Sequence, residues 1–183
     1  MDIDEKKWWD LQSLGEDLRE IRLQLKRFLK QPHSFMKDVP DWEWRRVLLA
    51  QVLFTFVCGL IKSILELKVH ALLYVPILSV VVPLIFLFAS SLFFYYTFQV
   101  VHQDPLDLRK IFNVTFFSNV PFFVILVVSG YFPPLSFLGL ATTAFLLIVG
   151  FVENFHMQLK TVLRLISILY FLFFLIWLLG RYE

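Results

Sequence analysis

Five apolar runs constrain what this chain can fold into more than any other feature of it. Val47–Ile61 is free of charge. With Trp42 and Trp44 before it, and Ile64 and Leu65 after a snorkelling Lys62, it reaches about 20 residues, enough to cross a ~30 Å hydrocarbon core as a helix. Ala71–Phe98 is also uncharged and would be about 42 Å long at 1.5 Å per residue. It must therefore tilt, kink at Pro76 or Pro83, or begin as an interfacial segment. Ile111–Phe132, Leu135–Val152 and Leu165–Leu179 supply three further runs. Tyr131-Phe-Pro-Pro134, with Gly130 ahead of it, leaves room only for a tight antiparallel hairpin between the third and the fourth. Backbone groups in lipid must be satisfied within the chain, so runs of this length predict helices. The expected fold is an all-α membrane protein: a five-span transmembrane helical bundle with an N-terminal amphipathic cytoplasmic helix. Residues 1–40 form the tail and 41–183 the transmembrane domain.

Composition agrees. Of 183 residues, 58% are hydrophobic and 22 are Phe, more apolar surface than one soluble core of this size hides. The 17 Lys and Arg are unevenly placed, ten of them at or before Arg46. With an inner N-terminus these ten join Arg109, Lys110, Lys160 and Arg164 to make 14 inside, against Lys62, Lys68 and Arg181, which make 3 outside. The positive-inside rule then selects a cytoplasmic N-terminus and an external C-terminus, although two lysines fall in the first outer link. The basic residues alternate with Glu16, Asp17 and Glu20, which argues against nucleic acid as a partner. Cys58 has no partner in the chain for a disulfide. The first apolar run begins too late for a cleaved signal peptide.

Ahead of the membrane, Leu11, Leu14, Leu18, Ile21, Leu25 and Phe28 recur at steps of three and four, an amphipathic helix. Ser13-Leu-Gly-Glu16 offers a capping box and Pro32 a stop. The helix is expected to lie on the leaflet or on the bundle, with Trp8 and Trp9 as interfacial anchors. The sharper alternative is a short coiled coil or partner-binding helix.

Signals for chemistry are thin. Glu153-Asn-Phe-His156 has the spacing that puts a carboxylate and an imidazole on one helix face, but it occurs once where a carboxylate-bridged metal site needs two copies. It reads as a polar span end. His33, His70 and His102 fall in loops or at span ends, and no nucleophile lies near His102-Gln-Asp104. Lys62 and Glu66 suit a surface ion pair. No phosphate loop, nucleophile elbow or zinc signature is present, and no acid or base sits in the middle of a span. The expectation is a protein that is not an enzyme and uses no metal or cofactor. Thr55-x-x-x-Gly59 and Gly139-x-x-x-Thr143, with Ala141 and Ala144, point to close helix packing.

Phe116-Phe-Ser-Asn-Val-Pro-Phe-Phe123 puts three helix-unfriendly residues inside an apolar run. Thr115, Ser118, Asn119 and Phe122 share a face at 100° per residue, and that face is expected to point into the bundle. Pro121 cannot donate to the carbonyl of Phe117. Ser118 or Asn119 is expected to supply the missing donor, with a kink and a hydrogen bond to Thr142 or Thr143 of the next span.

From Leu29 onward the order of features resembles the Yip domain family, the Ypt-interacting polytopic membrane proteins. The residues carrying the resemblance are Leu29-Lys-Gln-Pro32 with Phe35, Asp41-Trp-Glu-Trp44, the Ser118-x-x-Pro121 pair of the third span, Gly150-Phe151, and the last apolar helix ending at Gly180-Arg181. The resemblance implies a cytoplasmic tail and five spans. The Asp-Leu-Tyr-Gly-Pro motif of eukaryotic relatives is absent, so the chain looks like the short prokaryotic branch, in the cytoplasmic membrane, and no GTPase partner carries over. Two functions are expected: a non-enzymatic organiser or adaptor that works through its tail or, as the alternative, a small transporter or lipid-handling protein. Membrane lipids, a protein partner at the tail and a second copy of the chain are the partners to consider.

Overall fold

The computed structural model describes residues 11–65, 71–102, 106–129, 131–132 and 134–179. Within them the chain is all helix and loop: α1 (Leu11–Lys30), α2 (Pro32–Met36), α3 (Trp44–Leu65), α4 (Ala71–His102), α5 (Leu108–Ser129), α6 (Leu135–Phe155) and α7 (Leu159–Leu179). Four of these, α3, α4, α5 and α6, are long and apolar enough to cross a membrane.

The second apolar run is one continuous helix of 32 residues through both prolines, so among the described residues no break divides it into an interfacial piece and a span. Small residues set the spacing between α3 and α4. A methyl group on Gly59 would lie 1.9 Å from Ser79 Oγ and 3.0 Å from Pro76 Cα, so only a glycine lets the two backbones approach here. The Ser79 hydroxyl lies 3.1 Å from Thr55 O and 2.7 Å from Pro76 O and shares its proton between them. The hairpin of α5 and α6 is equally close: a methyl on Gly139 would meet Phe122 at 3.1 Å, and one on Gly150 would meet Val114 and Met36 at 2.6 and 2.7 Å.

Helix α5 is the axis of the bundle. Every residue from Ile111 to Val120 is buried, which a lipid-facing span cannot be on all sides. The surrounding walls are α3, α4, α6 and the segment α1–α2. Aromatic rings fill the space between them. Phe94 and Phe98 of α4 meet Phe151 of α6 at 4.7 and 4.9 Å between centroids, and Phe88 meets Phe112 edge to face at 4.7 Å.

Three local expectations are corrected. Trp42 does not extend the first span: it precedes α3 and is buried against Phe116 and Phe117. Ser13 is not a cap, because α1 is already helical at Leu11; its hydroxyl accepts a hydrogen bond from Arg45 at 2.9 Å. His156 ends α6 in the left-handed conformation, φ 52°. It has left the helical register that would put it on one face with Glu153. His70, Glu66, Lys68, Gly130, Trp8, Trp9, Gly180-Arg181 and the end of His102-Gln-Asp104 lie outside the described residues.

Candidate functional site

The polar side chains gather at one end of the bundle, where α3, α5 and α7 begin and α4 and α6 finish. Here α1 is tied down through Asp17. Arg46 Nε donates to Asp17 Oδ1 at 2.9 Å and Arg45 Nε lies 3.2 Å from Oδ2. Farther along, Phe28 is buried against Phe35 and Phe117, at 5.5 and 5.7 Å between centroids. Met36 of α2 sits over Gly150, where any side chain would collide with it.

Residues 37–43 make no regular structure, so their backbone groups need other partners. Side chains from α5 and α6 provide them. Asn154 Nδ2 donates to Met36 O at 2.8 Å, and Asn154 Oδ1 accepts from the Val39 amide at 3.1 Å. Asn113 Nδ2 donates to Trp42 O at 3.1 Å, and Lys110 Nζ donates to Val39 O. Arg109 reaches Asp41 at 2.8 Å. The loop is thus fixed while Lys37, Asp38, Asp41 and Glu43 stay exposed. None of Asp17, Lys110, Asn113 and Asn154 was singled out by sequence reading. The available signal was an amide inside the apolar run at Asn113, and one within Glu153-Asn-Phe-His156 at Asn154.

The stripe Leu11, Leu14, Leu18, Ile21, Leu25 and Phe28, expected to meet a partner or the leaflet, turns in large part toward the bundle. Ile21 and Phe28 are buried, Leu14 and Leu25 half-buried, and Leu18 is 41% exposed; the side chain of Leu11 is not described.

In the middle of α5, Thr115, Ser118 and Asn119 are buried and Pro121 half-buried, and the helix continues through the proline. The expected repair of the Phe117 carbonyl is not what the three polar groups do. Thr115 Oγ1 donates to Ile111 O, Ser118 Oγ to Val114 O and Asn119 Nδ2 to Thr115 O, each at 2.8 Å. Thr142 bonds back to Leu138 O, and the buried Thr143 hydroxyl has no hydrogen-bond partner among the described residues. In place of the expected bond between α5 and α6, Thr115, Asn119 and Thr143 line a partly open cavity of about 250 Å³ together with Pro83 and Phe86 of α4 and Tyr170 of α7. Its walls are almost wholly apolar, which suits hydrocarbon and not an ion. Among the described residues no three His, Cys, Asp or Glu side chains come together to hold a metal.

The Yip1 domain matches residues 26–180. No curated protein and no solved structure matches the chain. The matched region begins within α1 and takes in α2 to α7, so it includes the docked segment along with the apolar helices. On the strength of that match and of its four bilayer-length helices, the chain is an integral multi-pass membrane protein and belongs to the Yip1 domain family.

Proposed function

We propose that this protein is a non-enzymatic membrane organiser or adaptor whose working surface is the charged end of the bundle, facing the cytoplasm of a prokaryotic cell. α7, 21 residues long or about 31 Å, is the fifth span, and residues 1–40 act as the cytoplasmic tail. The count of 14 inner against 3 outer Lys and Arg supports that orientation. Inside the spans most polar side chains return their hydrogen bonds to backbone carbonyls, the pattern of packing rather than of a conducting path.

The observation that carries the reading is the ordered loop 37–43. Asn154, Asn113 and Lys110 hold its backbone, while its own charged side chains point outward. An irregular loop fixed this firmly presents a constant pattern of charges, which is what a protein partner needs in order to recognise it. Benzoylphenylalanine placed at Asp38 or at Glu153, both exposed, should capture a discrete protein in cells, while the same probe at lipid-facing Leu138 should not. Identical products at all three positions would overturn the adaptor. The cavity between α4 and α7 favours a second reading, lipid handling or transport. Movement of lipid or solute catalysed by the purified protein in vesicles would establish it instead.

A further inference from the structure

The surface of α1 is ordered around its circumference in a way that the inward-turned stripe does not explain. At 100° per residue, buried Ile21 and Phe28 mark the direction of the bundle. Moving round the helix from them, the apolar stripe continues through Leu25 and does not stop at the bundle's edge. It runs on to Leu18 and Leu29, which are 41% and 60% exposed. Arg22, Lys26, Arg19 and Lys30 come next, all exposed, in a sector about 80° wide that holds no acid. Beyond them come exposed Leu23 and then the far side, where Arg27 lies between Glu16 and Glu20. The order is therefore protein, apolar, purely cationic, and then a mixed far side that holds Glu16 and Glu20 with Arg27.

A helix lying only on a protein needs no apolar edge beyond its contact, and a helix lying in water has no reason to gather four cations beside that edge with no acid among them. A helix at a membrane interface has reason for both, since its apolar edge meets acyl chains, its cations the phosphates and its far side the water. The depth agrees. Trp44, at the start of α3 beside Arg45 and Arg46, packs on Phe112, whereas Phe28, together with Phe35 and Trp42 of the docked segment, reaches Phe117, five residues farther along α5, or about 7 Å deeper. Interfacial helices lie about 5–10 Å into the headgroup and acyl boundary.

The geometry points to α1 as a lipid-binding helix of the inner leaflet: Leu18 and Leu29 rest on acyl chains while Arg19, Arg22, Lys26 and Lys30 bind the phosphates of anionic phospholipid. The inference deepens the adaptor reading and rests on its cytoplasmic N-terminus, because the cytoplasmic leaflet is the anionic one. Orientation is tested separately by a terminal reporter, and the partner by cross-linking at Asp38, so failure of either is distinct from failure here.

The test uses the full chain. By native mass spectrometry, the purified protein should retain dioctanoyl phosphatidylglycerol in preference to dioctanoyl phosphatidylcholine. Arg22→Gln combined with Lys26→Gln should weaken phosphatidylglycerol binding about 25-fold, from a factor of about five for each cation near an anionic surface. Equal retention by the variant and the parent would overturn the proposal. A second readout does not depend on charge. A nitroxide on Leu29→Cys, with Cys58→Ser, in vesicles of phosphatidylcholine and phosphatidylglycerol should be relaxed by oxygen and protected from a water-soluble nickel chelate. A label open to nickel would show this face in water, available to a protein instead of lipid, and would also overturn it.

Discussion

Replacing Asn154 by Leu should release the N-terminal loop without disturbing the bundle beneath it. The side chain makes one bond to the last residue of α2 and one to the loop that follows it, from Nδ2 to Met36 O at 2.8 Å and from the Val39 amide to Oδ1 at 3.1 Å. Its third bond, to Gly150 O, stays within α6, where that carbonyl already belongs to the helix. Met36 and Val39 are both buried, 0% and 1% exposed, so neither backbone group recovers its lost partner from water. Two net hydrogen bonds at about 1 kcal/mol each, plus part of the penalty for orphaning a buried donor and acceptor, come to about 3 kcal/mol. The loss is local, and about 3 kcal/mol corresponds to a factor of about 100 in an opening equilibrium. Hydrogen exchange of the protein in nanodiscs should therefore show the Val39 amide exchanging about 100-fold faster, while amides in the middle of α4 and α5 keep their rates. Asn154→Asp retains the acceptor for Val39 but loses the donor to Met36 O, so it should fall between the two. Unchanged exchange at Val39 would refute the argument that Asn154 holds the loop, and faster exchange everywhere would show the loop and the bundle to be one cooperative unit.

Gly59→Ala should cost about 1–3 kcal/mol in thermal unfolding of the purified protein, because the new methyl would lie 1.9 Å from Ser79 Oγ and 2.7 Å from Ser79 Cβ. Adding Ser79→Gly should recover part of the loss, since Pro76 Cα would still lie 3.0 Å from the new methyl, and a double variant no more stable than Gly59→Ala alone would refute the contact. Asn119→Leu should lower stability by about 1 kcal/mol or less with insertion intact, since among the described residues the amide donates to Thr115 O of its own helix; a markedly larger fall would reveal a bond to another span. A reporter fused after Glu183 should report an external C-terminus, and activity confined to the cytoplasm would rule out five spans with the N-terminus inside.

The sequence by itself determined the class of object. Uncharged runs about as long as a bilayer is thick have one low-energy state in lipid, the helix, whatever their neighbours are, so the limits of α3 to α6 were legible to within a few residues. The close approach at Gly59 was legible for a similar reason: a glycine four residues from Thr55 is a property of one helix face. What only the tertiary structure decided is which surface each face meets. The stripe of α1 reads equally well as a surface for lipid, for a partner or for the bundle. The choice was made by Phe35 and Phe117, which together enclose Phe28, and no periodicity within α1 can register a ring about 90 residues away. The same holds for the amides. Asn113 and Asn154 look like polar interruptions near span ends, but their partners lie 71 and 118 residues distant. Conversely, Thr115, Ser118 and Asn119 suggested a contact between helices and instead bond one turn back, because a short polar side chain on a helix always has a carbonyl of its own within reach. Apolar length is a local quantity that the bilayer reads directly, whereas the satisfaction of a polar group depends on what the folded chain brings beside it.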